Sequence, residues 1–221
     1  MKPVDFDYQQ ADSIDQAVSL LAQSANALIL AGGQTLGPML NLRLAQPELL
    51  VDITRIQELV RVETSVDHIT IGACVSHAAV EDGCIPDPGQ NFLSRVASGI
   101  AYRAVRNRGT LGGSVANADP AADWVACFSA LGAEILISGT GGQRRVGIDD
   151  FLVGAMETTL VPGELIDGLR VARLGAPARC GYAKISRNPG EFAEAIAAIV
   201  HEPNHDRCRL VVGGTDGMPP M

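Results

Sequence analysis

Backbone amides and small hydroxyls, gathered at two glycine-rich segments, are the first chemistry this sequence offers. Ala31-Gly32-Gly33-Gln34-Thr35 follows an apolar run. Gly109-Thr110-Leu111-Gly112-Gly113-Ser114 follows Arg106 and Arg108. Glycine reaches positive φ and lets a ligand come close to the main chain. Successive N–H groups at a strand-to-helix turn form a concavity suited to anionic oxygens. A tight β–α turn with no ligand would have the same spelling, so the first segment alone leaves both readings open. The second adds hydroxyls at Thr110 and Ser114, which together with amides hold a pyrophosphate without a net positive protein. Asp119-Pro120 then reads as an N-cap followed by proline at the first helical position. Asp123 falls in the first turn of that helix, where it either answers the helix dipole or accepts hydrogen bonds from a ribose or ribityl diol.

Other chemistries find no support. No GxGxxG follows a strand, and no GxxxxGKS/T, GxSxG or HExxH is present, so Rossmann, P-loop, hydrolase and zincin sites have no signature. Cys74, Cys84, Cys127, Cys180 and Cys208 are scattered and form no CxxC pair. That spacing argues against structural zinc, an iron–sulfur cluster on this chain or a disulfide framework; reduced, mostly buried thiols are expected. His68, His77, His201 and His205 form no ligand set, and Pro203-Asn204 separates the last two. All four read as solvent-facing or ordinary core residues.

The elements that must position the two segments follow from periodicity. Ser13 to Gln16 spells a capping box, and Ile14, Ala17, Val18 and Leu21 make one apolar stripe. Residues 27–31 read as a buried strand, 36–44 as a short helix with Pro38 in its first turn, and 49–53 as a strand. A hairpin over 59–62 and 68–72 and a helix capped by Ser76 follow. Residues 91–102 have helical period, with Phe92, Val96 and Ile100 on one side. Residues 106–123 read as a loop outside the core, and a helix carrying Trp124, Val125 and Phe128 begins near Asp119-Pro120. Strands are expected over 133–137, 143–148, 165–171 and 180–185, with a boundary at 174–178. Residues 192–200 and 209–212 are strand or helix, and 213–221 a loose end. The pattern is α+β with mixed or antiparallel sheets.

Composition bounds the function. With 221 residues the chain forms one large domain or two small ones. Lys+Arg 17 against Asp+Glu 25 leaves a net charge of −8, a poor match for nucleic acid. No apolar run reaches the roughly 18 residues of a membrane span. The start, Met-Lys-Pro-Val-Asp-Phe-Asp, lacks a signal core, so a cytoplasmic protein is expected.

Leu30-Ala-Gly-Gly-Gln-Thr-Leu36 and Val105-Arg-Asn-Arg-Gly-Thr-Leu-Gly-Gly-Ser-Val-Ala-Asn-Ala-Asp-Pro-Ala-Ala-Asp123 resemble the two flavin motifs of one family. It is the FAD-binding medium subunit of the molybdenum hydroxylases, the xanthine dehydrogenase, aldehyde oxidoreductase and carbon monoxide dehydrogenase group. Gly163-Glu-Leu-Ile166 and Gly181-Tyr-Ala-Lys-Ile-Ser-Arg187 are similar to further stretches of it. The resemblance implies a two-subdomain FAD-binding fold of the vanillyl-alcohol oxidase (PCMH) type over 1–175, with subdomains of about 1–57 and 58–175, and a truncated C-terminal α+β domain over 178–221. It implies that Ile29, Leu30, Ala31, Gly32, Gly33, Gln34, Thr35 and Leu36 wrap the pyrophosphate with Thr110, Gly112, Gly113 and Ser114. Asp119 belongs to the same motif, and Asp123 would hold a sugar or ribityl hydroxyl. Ile100 and Ile166 would pack on the cofactor, and Lys184 would reach the flavin's pyrimidine edge, where a cation suits a reduced ring. Relatives in this family continue past the point matching Leu210-Val-Val-Gly-Gly214, so a shortened cap is expected, either because the gene is shortened or because a partner rebuilds it. Asn188-Pro189 also interrupts the family's arginine pattern.

The implied function is electron transfer. FAD on this chain would collect electrons from 2Fe-2S clusters on a small subunit, fed by a molybdenum cofactor on a large subunit. It would pass them to NAD, a quinone or oxygen. No catalytic or metal-binding residue is then required here, and the scattered cysteines do not fit the branch with an extra cluster on its flavin subunit. Two alternatives stand beside it. One is a flavin-poor scaffold docking the iron–sulfur and molybdenum subunits. The other is a self-standing FAD oxidase, which lacks a base or an attachment residue in this sequence.

Overall fold

A computed structural model describes residues 1–215. The end of the chain read as loose falls outside them, except for Gly213 to Thr215.

The first sheet is built from β1 (Asp7–Gln10), α1 (Ile14–Leu21), β2 (Ala27–Leu30), α2 (Leu36–Asn41) and β3 (Leu49–Asp52). Its strand order is β1-β3-β2, with both pairings parallel. Parallel neighbours need crossovers, which α1 and α2 supply. The α1 cap forms as expected: Gln16 N–H donates to Ser13 Oγ at 3.2 Å, and Gln16 Oε1 accepts from Asp12 N–H at 2.8 Å. Its buried face is Ala17, Val18, Leu20 and Leu21. Strand β1 was not legible, because Asp-Tyr-Gln-Gln is polar and mostly exposed. It is held by the β3 ladder and by the Tyr8 hydroxyl, which donates to Asp52.

The second unit runs through β4 (Val62–Thr64), β5 (His68–Gly72), α3 (His77–Glu81), α4 (Phe92–Ser98), α5 (Arg103–Arg106), α6 (Leu111–Asn117) and α7 (Asp123–Leu131). It continues with β6 (Glu134–Gly139), β7 (Gly142–Gly147), α8 (Ile148–Phe151), β8 (Leu152–Gly154), β9 (Glu157–Thr158) and β10 (Leu165–Ala172). Five strands form an antiparallel sheet in the order β4-β5-β10-β6-β7, and β8 pairs with β9. All nine residues of α7 are buried, as expected of a helix apolar on every side. Around it lie Phe92, Leu93, Leu111 and Phe151. The third sheet, β11 (Arg179–Ile185), β12 (Ala195–Glu202) and β13 (Arg207–Gly213), is an antiparallel meander. Its inward residues Ile196, Ala198, Val200 and Val211 join the same core. Among the described residues no helix is long and apolar enough to cross a membrane.

Five expectations need correction. Gln57–Val60 is a 3-10 helix, so the first strand of the early hairpin is β4 at Val62–Thr64 and not 59–62. The segment after Gly109 is not a loop outside the core: it folds into α6, with Leu111 and Val115 fully buried. Its missing side chains make that possible, since a Cβ on Gly112 would lie 2.5 Å from the Ala73 Cβ. Helix α7 starts at Asp123 rather than Asp119, and Asp119 Oδ1 instead accepts from Ala121 N–H in a turn at 2.9 Å. Helix α4 stops at Ser98, leaving Ile100 on a turn. Only Cys74 and Cys127 are buried, while Cys84 and Cys208 are exposed.

Candidate functional site

A cleft of about 570 Å³ opens where the three units meet. That lies inside the roughly 300–1,000 Å³ typical of small-molecule sites. Its walls include the turn after β2, the start of α6, Ile166 of β10 and Phe192 ahead of β12.

The two glycine segments, 77 positions apart between Gly32 and Gly109, lie against each other. A Cβ on Gly32 would stand 2.1 Å from the Arg108 carbonyl oxygen and 2.8 Å from Gly109 Cα. Gly33 holds φ +67°, a conformation glycine adopts without strain. In the first segment no acceptor in the chain is described for the N–H groups of Gly32, Gly33, Gln34, Thr35 or Leu36; hydrogen bonding resumes at Gly37 N–H, which reaches Gly33 O at 2.9 Å. The Thr35 hydroxyl caps nothing.

The second segment differs. Leu111 N–H donates to Val75 O at 3.0 Å, Gly112 to Ala73 O at 2.8 Å, and Ser114 to Thr110 O at 3.1 Å. Gly113 N–H donates to Thr110 Oγ1 at 3.2 Å. These amides are committed inside the chain, and neither Gly112 nor Gly113 has positive φ. What this segment gives the cleft is shape and the Ser114 hydroxyl. Arg106 and Arg108 do not line the cleft.

Asp123 is buried at the cleft wall, and its Oδ1 accepts from two groups of β11. Lys184 Nζ lies 2.8 Å away, and the Tyr182 hydroxyl also donates. Burial, and next the Asp123 carboxylate, push the Tyr182 phenol well above its ordinary value. Lys184 Nζ also donates to Gly99 O at 2.7 Å. Lys184 and Leu30 do not line the cleft; every other residue read from the sequence as cofactor-binding does. Lys184 therefore stands one step behind Asp123.

Sequence reasoning passed over His77 and Trp124. Both line the cleft, and His77 Nδ1, His77 Nε2 and Trp124 Nε1 are buried without a hydrogen-bond partner among the described residues. The rings meet edge to face, with centroids 5.7 Å apart. Desolvation pulls the His77 imidazole below its ordinary value, which favours the uncharged ring. Adjacency of Trp124 to Asp123 was the one signal available. Unclaimed N–H groups, turns with no room for a Cβ, and polar atoms orphaned in an otherwise apolar wall fit an anion attached to a flat, mostly apolar ring system.

Over residues 4–173 the chain matches the family described as the FAD binding domain in molybdopterin dehydrogenase. It is 36% identical over 219 residues to the 6-hydroxypseudooxynicotine dehydrogenase complex subunit alpha of Paenarthrobacter nicotinovorans, covering 97% of this chain and 74% of that protein. It is 36% identical to the glyceraldehyde dehydrogenase medium chain of Sulfolobus acidocaldarius, covering 99% of this chain and 79% of that one. Among solved structures, the carbon monoxide dehydrogenase of Hydrogenophaga pseudoflava lacking the Mo-pyranopterin moiety of its molybdenum cofactor superposes with a TM-score of 0.92 at 33% identity, covering 99% of this chain and 78% of that one.

Proposed function

The chain belongs to the FAD-binding medium subunits of the molybdenum hydroxylases, which are oxidoreductases, and on that footing we propose that it carries electrons through FAD within a larger complex. The relatives' names carry unlike substrates, a nicotine derivative, glyceraldehyde and carbon monoxide, on one shared fold. That division supports a domain that reads the cofactor and not the organic substrate. FAD, when bound, takes up electrons singly and gives them up in pairs. Its partners are then an iron–sulfur small subunit with 2Fe-2S clusters and a large subunit with the molybdenum cofactor. NAD, a quinone or oxygen is the acceptor, and the cytoplasm is the compartment.

One observation carries this reading: five consecutive N–H groups, from Gly32 to Leu36, donate to nothing among the described residues and border the cleft. They take the diphosphate, joined by the Ser114 hydroxyl. Thr110 holds the α6 start that shapes the opposite wall. Asp123 accepts from a ribityl or ribose hydroxyl, Asp119 lies at the same end, and Ile100 and Ile166 press on the ring. Lys184 fixes Asp123. Residues 1–175 form the FAD-binding domain in two subdomains, and the third sheet covers its side.

Native purification with flavin extraction and molybdenum and iron analysis tests this reading. Bound flavin, and co-purifying chains that hold molybdenum and iron, are expected. A well-folded, colourless chain that takes up no added FAD overturns it.

A further inference from the structure

Ile100 reaches the cleft from a turn that is pinned on its far side by cations. Three consecutive carbonyls are taken: Gly99 O by Lys184 Nζ at 2.7 Å, and Ile100 O and Ala101 O by Arg106 Nη1 at 2.7 and 2.9 Å. Ala101 stands at φ +43°, left-handed backbone that an L-residue with a Cβ adopts only when its surroundings impose it. Gly190 closes the turn from another side, since a Cβ there would be 2.7 Å from Ala101 O. Arg106 is itself fixed by a two-pronged bond to Glu81, Nε to Oε2 at 2.7 Å and Nη2 to Oε1 at 2.9 Å. Its side chain is 12% exposed, and a planar fork of this kind has little freedom to reorient.

We propose that Arg106, seated on Glu81, is a positioning residue for the flavin: it holds the left-handed turn at Ala101 and so sets where Ile100 and Ala101 meet the bound ring. The proposal rests on FAD filling this cleft. Arg106 does not itself line the cleft and acts through the turn. A neighbour provides the control. Arg103 binds the same Glu81 at 2.8 Å and Asp82 at 2.6 Å, but reaches no carbonyl of the turn. Replacing either arginine by methionine removes one positive charge from one acidic pair, and Glu81 keeps the other arginine in both cases.

The experiment compares wild type, R106M and R103M in the full chain by FAD titration, by the visible band shape of the bound flavin, and by melting without FAD. R106M is expected to weaken FAD about tenfold or more through loss of a buried charged donor and to alter the flavin bands. R103M, whose arginine is half exposed, is expected to stay within about twofold with unchanged bands. Should R106M not fold, R106K against R103K carries the same comparison, because lysine keeps the charge but cannot span Glu81 and two carbonyls. Equal affinities and spectra for the 103 and 106 variants overturn the positioning role while leaving FAD binding intact. A wild-type chain that binds no FAD overturns the underlying reading instead.

Discussion

Asp123 and Lys184 form a pair in which both side chains are at least nine-tenths buried. Removing one member of such a pair leaves an uncompensated charge in a poorly hydrated place, at a cost of about 3–5 kcal/mol. Asp123→Ala is therefore expected to lower unfolding stability by that amount in urea denaturation, in addition to weakening FAD. Tyr182→Phe keeps the pair and removes one donor, so its loss should be closer to about 1–2 kcal/mol. His77 gives a pH signature. Its folded-state value lies below 6.5, chiefly because burial disfavours the charged ring. The unfolded chain binds that proton more readily, so this contribution is present above 6.5 and is lost as pH falls through and below it. Denaturation midpoints measured from pH 7.5 down to 5.5 should drop more in wild type than in His77→Gln. Equal slopes would mean that the ring is hydrated and titrates normally.

At the scale of elements, three of the motif glycines, Gly32, Gly112 and Gly113, do different work, and substitution separates them. Gly112→Ala drives a methyl into Ala73 at 2.5 Å, wedging α6 off the strand end that follows β5. Overpacking of this kind costs about 1–3 kcal/mol, so the variant should melt lower with or without FAD. Gly32→Ala drives one turn off the other, at 2.1 Å from Arg108 O. FAD affinity should fall sharply there. Gly113 is exposed, and its methyl would meet only Thr110 Oγ1 at 2.8 Å. Gly113→Ala should be nearly neutral for stability, because a gain in helix propensity of about 1 kcal/mol offsets a disturbed cap. The sequence alone gave all three glycines one motive, close approach by a ligand. Only the packing of α6 shows that Gly112 serves the core.

For the whole molecule, the cleft is lined by residues of the first two units and by Phe192 of the β11–β12 connection, so its occupant should tie the three together. A ligand that binds only the folded state adds about 2.7 kcal/mol at a hundredfold excess over its dissociation constant. Stripping FAD should lower the melting temperature, and re-adding it should restore the loss in proportion to the logarithm of its concentration. A melting point indifferent to FAD would show that the cleft binds it weakly or not at all. The Ser13 and Ser76 caps, the β–turn–α around Gly32-Gly33, the hairpin at 139–142 and the α+β character were all legible, because each is settled by residues within a few positions of one another. Strand β1 was not, since its polar spelling is overruled by the ladder it joins. Nor was the identity of the free donors: the second segment's amides find acceptors at Ala73 and Val75, far along the chain, and the first segment's find none among the described residues. Asp123 likewise takes its partners from residues about sixty positions away. Residue type and near spacing decide what a turn is able to offer a ligand. Which of those groups remain unclaimed depends on what distant segments bring against them, and that was decided only when the sheets came together.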